Sequence, residues 1–438
     1  MFDITPILII GAGAVVAGLT VLFLLVQGDL GRASRLRPRH RLLLAGGLGL
    51  GILAFSFKLA IISGLTLAGS RGERPFATHT VTAPPRIEEP VVVIGAVKWE
   101  PLPLTAPEPA NNPSTPEKIA LGARLFADSA LSSDGTVACV SCHDTKRGGG
   151  ADGRQFSRGV GGQLGGRNAP TVFNAAFQAW QFWDGRAHSL EEQALGPIAN
   201  PVEMGSTDLN AVVERLKADR SYVDAFTAAF GAGEPVSLEH LAQAIAAYER
   251  TLITPDAPYD RFVRGDQSAL TPQQVRGMAL FESAGCTDCH SGPNFSSASV
   301  LSPDRGGTGF RLFPAQPSAF DVKYGLTADS GARAKGAAPG LWRVPTLRNI
   351  ALTAPYFHNG SVSDLTEAVR IMAVAQSGRV LSENPVLQPA VSWLPGERRM
   401  MRYRQTPINE ADIADITAFL RALTSDGLAA GPNAERSR

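Results

Sequence analysis

Cys139-Val140-Ser141-Cys142-His143 and Cys286-Thr287-Asp288-Cys289-His290 are the two stretches of this 438-residue chain whose residue types and spacing most clearly carry chemistry. Each reads C-x-x-C-H. Thiols at that spacing can form thioethers to the two vinyl groups of one haem, and the adjacent histidine then lies beneath the iron as proximal ligand. The two motifs use all four cysteines of the sequence, so none remains for a disulfide. Two alternatives are weaker. A zinc site built from two CxxC pairs places them roughly 15–20 residues apart, whereas the first cysteines here, at 139 and 286, are 147 residues apart. A thioredoxin-type redox pair has no need of the following histidine twice. The sequence predicts two covalently bound c-type haems.

Composition bounds the rest. Hydrophobic residues make up 44% and charged residues 18%, so sizeable cores can form. The net charge of +1 gives no reason to expect nucleic acid as a partner.

The elements that must position the motifs begin with a membrane anchor. Ile7 to Val26 carries no charge, and Leu42 to Ala68 is interrupted only by Lys58. Both are long enough to cross a bilayer as helices. The loop between them holds Arg32, Arg35, Arg37, Arg39 and Arg41 against a single acid, Asp29. Arginine-rich short loops stay in the cytoplasm, which puts the N-terminus and everything after Ala68 outside it. A cleaved signal peptide would need a basic start, and Met1-Phe2-Asp3 is not basic. The expected location is the bacterial inner membrane, with the catalytic part in the periplasm. Arg71 to Pro116 contains ten prolines and reads as an extended spacer. Ordered structure is expected to start at Thr115-Pro116-Glu117, an N-cap followed by proline and an acid in the first turn, and Thr271-Pro272 repeats that signal.

Both starts lead into related text. Gly122-Ala123-Arg124-Leu125-Phe126 matches Gly277-Met278-Ala279-Leu280-Phe281 as GxxLF, and a CxxCH follows each. Each half closes on a similar amphipathic helix, AIAAYERTL over 244–252 and DITAFLRAL over 415–423. The pattern predicts a mainly α fold: two tandem cytochrome c-like haem domains with long loops, preceded by two transmembrane helices and a proline-rich linker. The expected boundaries are 1–69 for the anchor, 70–114 for the linker, 115–254 for the first haem domain, 255–425 for the second and 426–438 for a tail.

From about Trp99 to Leu423 the chain resembles the bacterial di-haem cytochrome c peroxidase family, which includes the enzyme that oxidises tryptophans during methylamine dehydrogenase maturation. The stretches that carry the resemblance are LFADSALSSDGTVACVSCH, GGRNAPTVFNAAF, FWDGRAHSLEEQALGPIANPVEMG, VPTLRNIALTAPYFHNG and the final helix. The resemblance implies a peroxide-reacting first haem on His143, with Gln193 and Glu203 as polar residues of its distal pocket. Glu203 would move protons to and from peroxide; on its own residues, ANPVEMG reads as helix-start capping. Pro197 matches a loop proline near the same pocket. Trp183 matches the tryptophan between the haems and would relay electrons, although a tryptophan there also reads as core.

The second haem, on His290, would be the electron-entry site. The resemblance implies Met372 as its sixth ligand, fourteen residues after His358, where the maturation enzyme has tyrosine; LTEAVRIM alone reads as a helix core face. Met400 and Met401 are the other candidates nearby. Asn168, Thr353 and Pro355 match the family's calcium site, with Ca²⁺ held by one side-chain oxygen and two backbone carbonyls; turn chemistry explains the same residues without a metal.

The chain departs from many family peroxidases in one respect. Asp144 to Arg167 contains neither histidine nor methionine, so the first haem is expected to keep an open distal face. Of the other histidines, His240 is expected at the surface, His358 beside the second haem, and His188 is the one able to approach the first. The implied activity is reduction of hydrogen peroxide with electrons from a small cytochrome c, a cupredoxin or, through the anchor, quinol. The alternative is a MauG-like enzyme that oxidises Trp or Tyr of a partner protein during cofactor maturation. A homodimer is compatible with either.

Overall fold

The computed structural model describes residues 97–429 apart from 147–149, 303–305, 307–308, 316–317, 333–339, 380 and 382–406, together with the backbone of strands β1 (Val81–Thr82) and β2 (Val92–Ile94). The two expected membrane helices, Met400 and Met401 lie outside the described residues. Among the described residues no helix is long and apolar enough to cross a membrane.

The first haem motif is framed by helices α1 (Pro116–Phe126), α2 (Leu190–Ala199), α3 (Leu209–Ala218), α4 (Arg220–Phe230) and α5 (Leu238–Glu249). The second lies among α6 (Pro258–Val263), α7 (Pro272–Ser283), α8 (Ala319–Tyr324), α9 (Leu365–Ile371) and α10 (Glu410–Arg421). The expected starts are present. Thr115 accepts from the Lys118 amide at 3.2 Å, and Thr271 and Gln274 form a reciprocal capping box.

The repeat seen in sequence is a repeated helix crossing. A Cβ on Gly122 would stand 1.9 Å from the Ala244 carbonyl oxygen and 2.9 Å from Cβ of Tyr248; on Gly277 it would stand 1.9 Å from the Asp415 carbonyl oxygen and 2.9 Å from Cβ of Phe419. The glycine of each GxxLF therefore lets α1 meet α5, and α7 meet α10, at backbone contact. Around the crossings lie two cores. One holds Leu121, Leu125, Phe126, Val212, Phe226, Leu241 and Ile245. The other holds Met278, Phe281, Phe295, Tyr259, Ile413, Phe419 and Trp99.

Trp99 comes from within the expected spacer. Strand β3 (Val97–Trp99) pairs antiparallel with β2, and Leu102 beyond it is fully buried. The Leu102 amide donates to Asp260 Oδ1 at 2.9 Å, and the Tyr259 hydroxyl donates to the Glu100 carbonyl at 3.0 Å. Packed structure thus begins well before Thr115. The large apolar side chain of Trp99 buries in the second core and Leu102 is buried beside Asp260, despite the prolines around them. Asp260 also receives Arg348 through two bonds of 2.6 and 2.9 Å, with both side chains wholly buried.

A second repeat ties the halves together. Pro170-Thr171 is followed by Asn174, and Pro345-Thr346 by Asn349. Both asparagines take left-handed backbone, φ 61° and 59°, which asparagine tolerates better than most residues. Each donates its amide to the chain just after its own closing helix, Asn174 to Leu252 and Asn349 to Leu423. Both side chains donate to one hydroxyl, Thr254 Oγ1, at 2.7 and 3.0 Å.

Candidate active site

Each CxxCH motif is folded as a single 3-10 turn, Cys139–Ser141 and Cys286–Asp288. The turn brings the histidine amide back onto the first cysteine carbonyl, at 2.9 Å in both motifs. His143 directs Nδ1 to the Gly150 carbonyl at 3.2 Å, and His290 directs Nδ1 to the Phe295 carbonyl at 3.0 Å. A carbonyl on Nδ1 fixes the tautomer that leaves Nε2 as an iron ligand. Burial lowers the pKa of both rings, that of His290 to about 4, so both stay neutral as ligands must. Burial likewise pushes the Cys139 and Cys286 thiols up to about 12, away from the thiolate a zinc site uses. Among the described residues no cluster of three or more His, Cys, Asp or Glu side chains is arranged to hold a metal ion.

The surroundings of the two histidines differ. A pocket of about 60 Å³ is lined by His143, Cys139, Cys142, Gln193, Pro197 and Glu203, with Glu249 beside them. Helix α2 produces this grouping. Ser189 caps it by accepting from the Glu192 amide at 3.0 Å. Gln193 and Pro197 then fall one turn apart on the same face. The chain turns back after Ala199, and Glu203 packs where its amide donates to the Asn200 carbonyl at 3.1 Å. Glu203 is not a helix-start cap: Asn200 Nδ2 donates to its Oε1 at 2.8 Å, and burial raises its pKa.

A cavity of about 560 Å³ is lined by His290, Cys286, Cys289 and Met372, and also by Trp183 and Arg343. Met372 opens a π-helical turn, Met372–Gln376, that follows α9; such turns are frequent at functional sites.

A family model described as di-haem cytochrome c peroxidase matches residues 116–268. Cytochrome c551 peroxidase of Pseudomonas aeruginosa is 42% identical over 295 residues, 66% of this chain and 81% of that protein. The chain belongs to the di-haem cytochrome c peroxidase family. The methylamine utilization protein MauG of Methylorubrum extorquens is 39% identical, over 61% of this chain and 71% of that protein. The crystal structure of a MauG-like protein associated with microbial copper homeostasis matches with a TM-score of 0.60 at 31% identity, over 77% of this chain and 96% of that one.

Membership of this peroxidase family implies two c-type haems, and the chain's own residues fit them. The two CxxCH turns, the two carbonyl-fixed histidines and the large cavity beside His290 form one consistent donor set. In this di-haem peroxidase, Trp183 lies between residues of both halves: its Nε1 donates to the Asn168 carbonyl at 2.9 Å, and its own carbonyl accepts from the Arg343 amide at 3.0 Å. Asn168, Thr353 and Pro355 all line the larger cavity, and the Asn168 amide nitrogen donates to the Arg154 carbonyl at 2.8 Å. Their oxygens are neutral and hard, the type calcium takes.

His358 is buried and lines the second cavity, stacked on Trp342 with ring centres 3.9 Å apart. His240 stacks on Phe230. His188 is exposed, packs on Trp180 and lines neither pocket. Sequence reasoning missed two buried ionisable residues. Glu249 is 3% exposed in the His143 pocket, and its Oε2 has no hydrogen-bond partner. One signal was readable: the closing helix of the other half has Leu420 at the matching position. The other is Arg343.

Proposed function

We propose that this chain reduces hydrogen peroxide to water, H2O2 + 2 H⁺ + 2 e⁻ → 2 H2O, with electrons from a small cytochrome c, a cupredoxin or a membrane donor such as quinol. The observation that carries this reading is the grouping of Gln193, Pro197 and Glu203 in one pocket with His143, while Met372 shares the other cavity with His290. When bound, the haem on His143 supplies the iron at which peroxide is reduced. Glu203 holds the proton that the leaving oxygen needs. Its raised pKa keeps the carboxyl protonated further up the pH range, and Asn200 fixes its orientation. Gln193, one turn before Pro197, orients peroxide through its amide. Met372, which lines the same cavity as His290, would hold the second haem through its thioether, a donor that favours the reduced metal and suits an electron-entry site. Trp183 carries electrons from the second half to the first.

In this reading one Ca²⁺ is held by Asn168, Thr353 and Pro355 and stiffens the wall beside Trp183. The apolar runs Ile7–Val26 and Leu42–Ala68 anchor the chain in the inner membrane with residues after Ala68 in the periplasm. A second reading is favoured by the loop Asp144–Arg167, which has no histidine or methionine to cap the first haem. In it the chain acts like the MauG relatives and oxidises Trp or Tyr of a partner protein during cofactor maturation.

Steady-state peroxide consumption by the holoenzyme with reduced cytochrome c or cupredoxin tests the first reading. Sustained turnover that falls by roughly 10²–10⁴-fold in Glu203→Gln supports it. Absence of turnover with every donor contradicts it.

A further inference from the structure

Arg343 ends strand β5 (Leu341–Arg343), which pairs antiparallel with β4 (Phe310–Leu312). Its side chain is 5% exposed. Nε donates to the Phe182 carbonyl at 2.8 Å and Nη1 to the Val344 carbonyl at 3.3 Å. Three other buried or half-buried arginines meet carboxylates: Arg348 meets Asp260, Arg250 meets Glu191, and Arg167 meets Asp184 and Asp329. Arg343 has only backbone carbonyls and forms no ion pair among the described residues. The acid that reaches it electrostatically, Asp184, is already bonded to Arg167 and Arg186.

A guanidinium keeps its charge even where burial opposes it. An uncompensated charge in an apolar interior is strongly unfavourable. Arg343 lines the large cavity that also contains His290 and Met372. Haem carries two propionate carboxylates, so the group expected in that cavity brings the missing counter-charge.

We propose that Arg343 binds a propionate of the second haem and thereby helps to set that haem's reduction potential. The proposal rests on the reading of His290 and Met372 as its axial ligands. Pairing with a guanidinium cancels the negative charge of the carboxylate beside the iron. A less negative surrounding favours the ferrous state, so Arg343 raises the potential. Pairing also keeps the carboxylate ionised in both redox states, so the potential changes little with pH. The Arg343 amide is bonded to the Trp183 carbonyl, so the same strand end that receives the haem also holds the backbone of the relay residue.

The test is spectroelectrochemical titration of the holoenzyme as wild type, Arg343→Gln and Arg343→Lys, with haem content and the methionine-to-iron charge-transfer band followed in parallel. Arg343→Gln should keep that band, shift the midpoint of the second haem downward, and give it a new pH dependence on the acid side, where the freed carboxylate takes up a proton on reduction. Arg343→Lys should recover most of the shift. An unchanged midpoint and pH profile in Arg343→Gln, with the band intact, overturns the proposal. Where the neutral variant does not assemble, the propionate bending mode in resonance Raman decides between wild type and Arg343→Lys: a shift supports the pairing and an unmoved mode overturns it. A wild-type protein without the methionine band contradicts instead the ligation on which the proposal stands.

Discussion

The indole nitrogen of Trp183 donates a 2.9 Å hydrogen bond to the carbonyl oxygen of Asn168. The backbone amide of Asn168 in turn donates to the His358 carbonyl at 2.9 Å, so residues from both halves fix the indole. Trp183→Phe keeps an aromatic ring of similar bulk but removes the bond and the easily oxidised indole. Donor-supported peroxide turnover should fall at least roughly tenfold, about 1.4 kcal/mol on the barrier. Haem content and the melting temperature should change little. Retained turnover would exclude Trp183 from the electron path.

The oxidised holoenzyme should contain one high-spin and one low-spin haem. The loop Asp144–Arg167 offers no histidine or methionine to the first iron, and His188 is exposed on Trp180, away from the His143 pocket. Electron paramagnetic resonance checks this. Two low-spin signals would mean that another side chain closes the first site.

How much of this was readable from the chain depends on the residue. The haem motifs, the repeated GxxLF text and the matched closing helices were legible because each is a fixed local spacing; that the glycines mark helix crossings showed only in the fold. Gln193 and Glu203 lie some way along the chain from His143, and only α2 and its following turn bring them to it; local pattern could not supply that, and the family resemblance did. Trp99 and Leu102 were hidden in a proline-rich stretch whose composition reads as spacer. Glu249 showed only as a departure from Leu420 in the repeated helix, and Arg343 not at all, for a different reason. A charge is buried by what the whole fold places around it, not by its neighbours in sequence.

Burial pushes the Glu249 carboxyl up to about 8, partly opposed by Arg250. An unfolded glutamate titrates near 4.3, so the folded state binds the extra proton between these values. Stability contributed by this group is full below the unfolded value and is lost as pH rises toward about 8. Glu249→Gln should therefore flatten the decline in melting temperature from acid to mildly alkaline pH, with little effect at pH near the unfolded value. Thermal unfolding of the holoenzyme across that range is the measurement. An unaltered pH profile would show that Glu249 is ionised or paired in the folded protein.

Arg348 and Asp260 form a wholly buried pair that also receives the Leu102 amide. Removing one partner strands the other charge, at a cost of ~3–5 kcal/mol. Arg348→Met should lower stability by that amount in denaturant unfolding and expose the Trp99 region to proteolysis. Arg348→Met with Asp260→Leu should recover part of the loss. A single variant as stable as wild type would contradict the packing of residues 99–102 onto the second core.

The most direct test of the peroxidase reading is stopped-flow mixing of the oxidised holoenzyme with one equivalent of hydrogen peroxide, with and without a reduced small cytochrome or cupredoxin. The account predicts rapid oxidation of the donor, two electrons for each peroxide, repeated on each further addition. A long-lived near-infrared band with negligible donor oxidation, discharged only by a specific protein partner, would contradict it.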